Sequence, residues 1–182
     1  PILCSLFEFD TKETREISRG EPLVLDRLRE YMQKDKNGYL LILNQRYLYF
    51  TKMDISRSRE EVISKLRKLQ SGINEKLKEE KIETVTVGIA RNCPLCELVR
   101  AQRECVKLLN HRLYLGKGAA IPYEECPPHK EVSFIMEYEE RLRQYIIGFQ
   151  YENAQDYIAE QFKRMKELKV SSYDLVKGVC LT

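Results

Sequence analysis

No stretch of this 182-residue chain approaches the roughly 20 consecutive apolar residues that cross a bilayer. Its first residues also lack the basic-then-apolar layout of a secretory signal. Neither a membrane-spanning nor a secreted protein is expected, and the chain reads as cytoplasmic. Blocks of a single charge are missing too. The 31 basic and 28 acidic residues are interleaved and leave a formal net charge of +3, without the basic stripe that duplex binding usually needs. Histidine is scarce, with His111 and His129 the only two. No serine or cysteine sits in a nucleophile setting such as G-x-S-x-G. His111 reads as a surface residue at a helix end and His129 as part of a linker. Six cysteines are too sparse and too irregularly spaced for a small disulfide framework, so reduced thiols are expected. An initiating methionine is absent and PILCSLFEF already reads as strand, as in a piece of something longer.

With 43% hydrophobic and 32% charged residues, the chain suits one core, or one compact domain with a helical appendage. Pro1 to Phe9 reads as a largely buried strand ending at Asp10. Gly20-Glu21-Pro22 reads as a helix opening, with proline at the first helical position, and Leu25, Leu28 and Met32 mark one face. YLLILNQRYLYF reads as a hairpin around Asn44, Gln45 and Arg46. Ser58 and Glu61 form a capping box for a long helix whose buried stripe is Val62, Leu66, Leu69, Ile73 and Leu77. VTVGIA is a strand, NCPLCELVRAQRECVKLLNHRLYL an amphipathic helix, and GKGAAIPY a glycine turn into a short strand. The order is strand, helix, strand, strand, helix, strand, helix, strand. It predicts an α+β sheet carrying helices, close to the ferredoxin-like or nucleotide-cyclase-like arrangement.

Cys126-Pro127-Pro128-His129 is the clearest boundary, since consecutive prolines cannot lie inside a continuing helix. It divides an α+β domain over 1–125 from a helical linker or dimerisation segment over 126–182. In that segment Val132, Ile135, Leu142 and Ile146 share one helical face, and Ala154, Ile158, Phe162 and Met165 another. A turn near Phe149 to Asn153 then makes a helical hairpin, and Ser171 and Asp174 repeat a capping pattern before the terminus.

The stretch from Val85 to Tyr123 resembles the last strand, helix and strand of the degenerate GGDEF-like central domain of YesN-type response regulators, which belong to the AraC family of bacterial transcription factors. The strand ending in Gly88-Ile89, the helix containing Glu104 and the turn Leu115-Gly116-Lys117-Gly118 carry the likeness. Members tend to have Ser-Tyr-x-Glu-Ala in this helix; here Ala101, Gln102, Glu104 and Cys105 stand in those places, so only the glutamate is kept. The resemblance implies a non-catalytic regulatory module, for signal relay or dimerisation, that works as a homodimer in a two-component response regulator. Its partners would be a receiver domain and helix-turn-helix domains of the same parent protein, and DNA would be met only through the latter. Residues His129 to Thr182 are expected to supply much of the homodimer contact.

A catalytic GGDEF domain needs glycines at its hairpin bend and acidic residues there and on the first strand to hold magnesium. The bend Leu43-Asn44-Gln45-Arg46-Tyr47 has neither, and Arg46 places a fixed positive charge where the metal would sit. Glu8 or Asp10 stands near the place of the first-strand ligand, but such a carboxylate more often is solvated or forms a turn. No enzyme activity, cofactor or metal is therefore expected. The rival reading is a thiol redox or metal sensor built on Cys93 and Cys96, a C-x-x-C at a helix start with Arg100 one turn beyond Cys96. Cys105, His111 or Cys126 would have to complete a zinc set, yet the spacing matches no common zinc module. Cys105 instead falls in register with helix residues that face the sheet. Gly116 and Gly118 read as a helix stop and a tight turn, not a phosphate loop.

Overall fold

A computed structural model describes residues 1–54, 57–126 and 135–167. The chain divides into two compact units, Pro1–Cys126 and Pro127–Thr182. The first is α+β, with a mixed five-strand sheet. Its elements run β1 (Ile2–Phe9), α1 (Thr14–Lys34), β2 (Gly38–Leu43), β3 (Arg46–Lys52), α2 (Arg59–Glu79), β4 (Val85–Ile89), α3 (Leu98–Asn110), α4 (Arg112–Leu115) and β5 (Ala120–Pro122). This is the expected element order. The sheet order is β2-β3-β1-β4-β5, with β1 antiparallel to both β3 and β4, and β4 parallel to β5.

Period-two alternation along β1 splits its side chains between two layers. Leu3, Phe7 and Phe9 point to the α1 and α2 side, where they join Val24, Leu28, Leu66, Ile73 and Leu77. Cys4 and Leu6 point to the other side and pack with Leu48, Ala101, Cys105 and Leu109 beneath α3. Because Glu8 follows the even register, it emerges on the α3 side at the end of the strand, opposite Arg46.

Helix α1 differs from its sequence reading. It begins at Thr14, so Pro22 lies inside it and not at its first position. An interior proline costs about 3 kcal/mol, but Ile17, Gly20, Val24 and Leu28 form one buried stripe across it. That burial keeps the helix continuous. Gly20 is required by contact: a Cβ there would meet the Phe9 ring at 2.8 Å.

The capping serine of α2 is confirmed, with the Glu61 N–H donating to Ser58 Oγ at 3.1 Å, while the Glu61 carboxylate takes Lys65 at 2.5 Å. The buried stripe contains Gln70 where Leu69 was expected, and Leu69 is only partly buried. The reason is polar. Gln70 Nε2 donates to the carbonyls of Val85 and Gly118 at 2.9 and 2.6 Å, and the Val85 N–H donates to Asn74 Oδ1 at 2.8 Å. These amides tie α2 to the edge of β4.

The expected single helix after β4 is broken into a 3-10 turn at Leu95–Glu97, α3 and α4. Gly88 allows α3 to approach the sheet, since a Cβ there would lie 2.5 Å from the Cys105 carbonyl oxygen. Gly116 and Gly118 have φ of 91° and 69°, the left-handed conformations that a helix stop and tight turn require.

In the second unit α5 (Ile135–Ile147) and α6 (Tyr151–Glu167) contact each other, with Tyr145 and Tyr157 edge to face at 5.8 Å. The turn comes slightly before its expected place, at Gly148 to Gln150, with Phe149 at φ 55°. Leu142 and Ala154 are buried, but Ile146 and Phe162 are exposed. His129, Val132, Ser171 and Asp174 lie outside the described residues, as do any contacts from 168–182. No described helix is long and apolar enough to cross a membrane.

Candidate functional site

An open cavity of about 800 Å³ lies where β1 ends, between the β2–β3 bend and the start of α4. Its charged lining residues are Glu8, Asp10, Lys12, Arg46, Arg112 and Lys117, four basic against two acidic. The bend is two residues long, with Asn44 and Gln45 both left-handed at φ 46° and 66°. Arg46 is already the first residue of β3, and the register sets it directly across from Glu8.

Glu8 is held from both sides. Arg46 Nε donates to Glu8 Oε2, and Arg112 Nη2 donates to Glu8 Oε1 at 2.8 Å. Arg112 Nη1 also reaches the Phe9 carbonyl and Asp10 Oδ1, each at 3.4 Å. The carboxylate that the sequence placed near a metal position thus has both oxygens on guanidinium groups.

Asp10 overturns its expected role as a solvated or turn-forming carboxylate. Its side chain is wholly buried and is the hub of three elements. Thr84 Oγ1 and Thr86 Oγ1 donate to its two oxygens at 2.7 Å each, and the Gly118 N–H donates to Oδ2 at 2.8 Å. A buried carboxylate is tolerated only with such donors. Asp10 therefore binds the end of β1 to β4 and to the loop before β5.

Glu104, the one residue retained from the helix pattern, also has a structural partner. Its carboxylate accepts from the Arg91 N–H at 2.8 Å and from Arg91 Nε at 3.0 Å, which fixes the chain leaving β4 against α3.

A second polar cluster, which the sequence reading missed, lies at the opposite end of β3. Asp35 Oδ2 accepts from Tyr49 Oη and, at 2.9 Å, from Thr51 Oγ1, while Arg57 Nη1 donates to Oδ1 at 2.9 Å. Burial pushes the Asp35 carboxyl up, but the bonds from Tyr49, Thr51, Arg57 and the Asn37 N–H outweigh it and hold it below its ordinary value. Burial first and Asp35 second raise Tyr31 to about 12. Burial and the bond to Asp35 likewise push Tyr49 up. Everything polar here is matched inward, which makes it a pin for the β2–β3 end of the sheet.

The cysteines do not sit as the redox reading required. Cys93 lies in an isolated bridge to Ile2, Cys96 in the 3-10 turn, and the helix begins only at Leu98. Burial, then Cys4 and Glu97, push the Cys93 thiol up from its ordinary value, the opposite of a helix-activated thiol. Arg100 pairs with Glu97 at 2.8 Å. Cys105 is the small sheet-facing residue its register implied, with Sγ 3.5 Å from the Cys4 carbonyl oxygen. His111 corrects its reading as a surface residue, for it is buried at the α3–α4 junction. Among the described residues no group of three or more His, Cys, Asp or Glu is placed to hold a metal ion.

Compared with known proteins, the chain matches no family model, no curated protein and no solved structure.

Proposed function

We propose that this chain is a non-catalytic regulatory module, for signal relay or dimerisation, of a bacterial AraC-type transcription regulator of the YesN-like two-component kind. Its α+β unit takes the role of a degenerate GGDEF-like, ferredoxin-related domain, and the helical unit that of a linker. In this reading the module works as a homodimer between a phosphorylatable receiver and the helix-turn-helix domains of the parent protein. It alters how two DNA-reading units face their half-sites and has no DNA contact of its own.

One observation carries the reading. The carboxylates at the end of β1 are bound by protein groups, Glu8 by Arg46 and Arg112 and Asp10 by Thr84, Thr86 and Gly118, and the bend beside them offers neither glycine nor acid. A magnesium-dependent nucleotidyl transfer needs free oxygen ligands at that place.

The direct test is incubation of the purified chain with GTP and Mg²⁺, followed for pyrophosphate and cyclic dinucleotide. No turnover is expected, and turnover would refute silence. The regulator assignment is tested separately by the coding sequence around this segment. A receiver before Pro1 and paired helix-turn-helix motifs after Thr182 are expected, and other neighbours would refute it.

A further inference from the structure

The two edges of the sheet are built differently. At one edge, β5 has three residues and ends in Pro122, and a short, proline-bearing edge resists added strands. At the other, β2 is the six-residue run GYLLIL, with no charge, no proline and an unbroken register against β3. Tyr39, Leu41, Ile42 and Leu43 are 59%, 43%, 52% and 39% exposed. The Tyr39 ring is stacked on Phe50 at 5.3 Å, so the exposed face is already ordered. Within β2 itself, no charge, proline or bulge protects this edge.

The hydrogen-bond phase of this edge is set. The Lys52 N–H donates to the Asn37 carbonyl, and bonded positions alternate along an antiparallel pair. Asn37, Tyr39, Leu41 and Leu43 therefore turn their backbone groups to β3, and Leu40 and Ile42 turn theirs outward.

We propose that β2 pairs antiparallel with β2 of a second copy of this chain about a two-fold axis through Leu41. In that register Leu40 lies opposite Ile42 of the second copy and exchanges both backbone bonds with it. Leu41 faces its own counterpart, and Tyr39 faces Leu43. Every cross-strand pair from Tyr39 to Leu43 is apolar, and no charge from either strand enters the contact, so the surface is self-complementary as a two-fold interface demands. A one-residue slip would turn bonding groups of one strand toward non-bonding positions of the other. The pairing uses up the vulnerable edge of both copies and leaves only the β5 edges, which closes the assembly at two. Five paired strand residues a side, against roughly 20–30 residues in a standard interface, place this in the weak, concentration-dependent class. Of β2 only Leu43 lines the cavity at the end of β1, and a second copy would pair with this edge whether or not the module is silent.

The experiment is analytical ultracentrifugation of the whole chain over a range of concentrations. The wild type should show a reversible dimer. Leu41→Lys sets like charges face to face on the axis, and Ile42→Pro removes an outward N–H while leaving the bonds to β3 intact. Each should weaken association by about tenfold or more, roughly 1.4 kcal/mol, with an unchanged circular dichroism spectrum. An equimolar mixture of Leu41→Lys and Leu41→Glu should dimerise again. Oxidised Leu41→Cys should give a covalent dimer that oxidised wild type does not, because non-bonded antiparallel neighbours lie within disulfide reach. A wild type that stays monomeric overturns the proposal. So does a dimer of unchanged strength in both variants, which would move the contact to another surface such as the helical unit and leave the regulator reading standing. Absence of the Leu41→Cys crosslink overturns the register.

Discussion

Replacing Asp10 by alanine separates a structural carboxylate from a cation ligand by the sign of its effect. In an empty cation site acidic side chains repel one another, so removing one leaves stability unchanged or raises it. Here Asp10, its side chain buried beside the open cavity, accepts from Thr84, Thr86 and the Gly118 N–H at 2.7 to 2.8 Å. Its loss strands the hydroxyl protons of Thr84 and Thr86 and leaves the Gly118 N–H only Thr86 Oγ1, at 3.0 Å. Hydrogen bonds to a charged group are worth about 1.5–3 kcal/mol each, and breaking a buried, paired charge costs about 3–5 kcal/mol in all. The lower figure is the better guide, since water can enter from the neighbouring cavity. Asp10→Ala should therefore destabilise the chain by about 3 kcal/mol, a large part of the roughly 5–15 kcal/mol of an ordinary domain. Urea unfolding followed by far-UV circular dichroism reads this as a lower midpoint at constant slope. A loss below about 1 kcal/mol, or any gain, would refute the hub assignment.

Two neighbouring inward tyrosines of β3 should behave oppositely. Tyr47 Oη is buried with no hydrogen bond of normal geometry, so Tyr47→Phe should cost less than about 0.5 kcal/mol or stabilise, whereas Tyr49→Phe removes a donor to Asp35 and should cost about 1–3 kcal/mol in urea unfolding. Gly88→Ala puts a methyl group 2.5 Å from the Cys105 carbonyl oxygen and should cost about 1–3 kcal/mol by overpacking, read as a fall in thermal midpoint. Stability should also fall at both ends of the pH scale. The folded chain holds Asp35 below its ordinary value, so its contribution is whole above the unfolded carboxylate value of about 3.9 and is lost as pH falls through the folded value. Tyr31 is raised to about 12, so its contribution is whole below about 10 and is lost as pH rises toward 12. An acid limb unaltered by Asp35→Asn would count against that network.

The order of elements was legible because the hydrophobic period changes cleanly between two and 3.6 along the chain, and Ser58 marks one helix start by local chemistry alone. Local signals failed where tertiary contact outweighed them. Gly20-Glu21-Pro22 carries the residues of a helix start, but its glycine serves the Phe9 ring and the helix runs through it. The α3 start was misplaced for a similar reason, since Cys93 is drawn into a bridge with Ile2. At the end of β1 the two candidate carboxylates and Arg46 were visible, and their partners were not. The donors to Asp10 lie 74 to 108 residues further along the chain, and nothing in a single sequence marks a threonine or a glycine N–H as belonging to a distant aspartate. The Asp35 cluster was invisible on the same ground, because an aspartate beyond a helix end before Asn-Gly looks like an ordinary turn residue.

The charges at the end of β1 act in one direction. For a divalent ion to reach Glu8, the guanidinium groups of Arg46 and Arg112 must either stay beside it or leave, and neither can lose its proton. If they stay, each unit of positive charge at about 4 Å opposes each unit on the ion by about 4 kcal/mol at an effective dielectric of 20. If they leave, Arg112 also gives up its contacts to Phe9 and Asp10, and the β2–β3 bend loses the ion pair that joins it to β1. Either route makes the site poor for cations. The same ion pair also makes the bend mechanically continuous with the start of α4, so a displacement of either must first break a contact to Glu8.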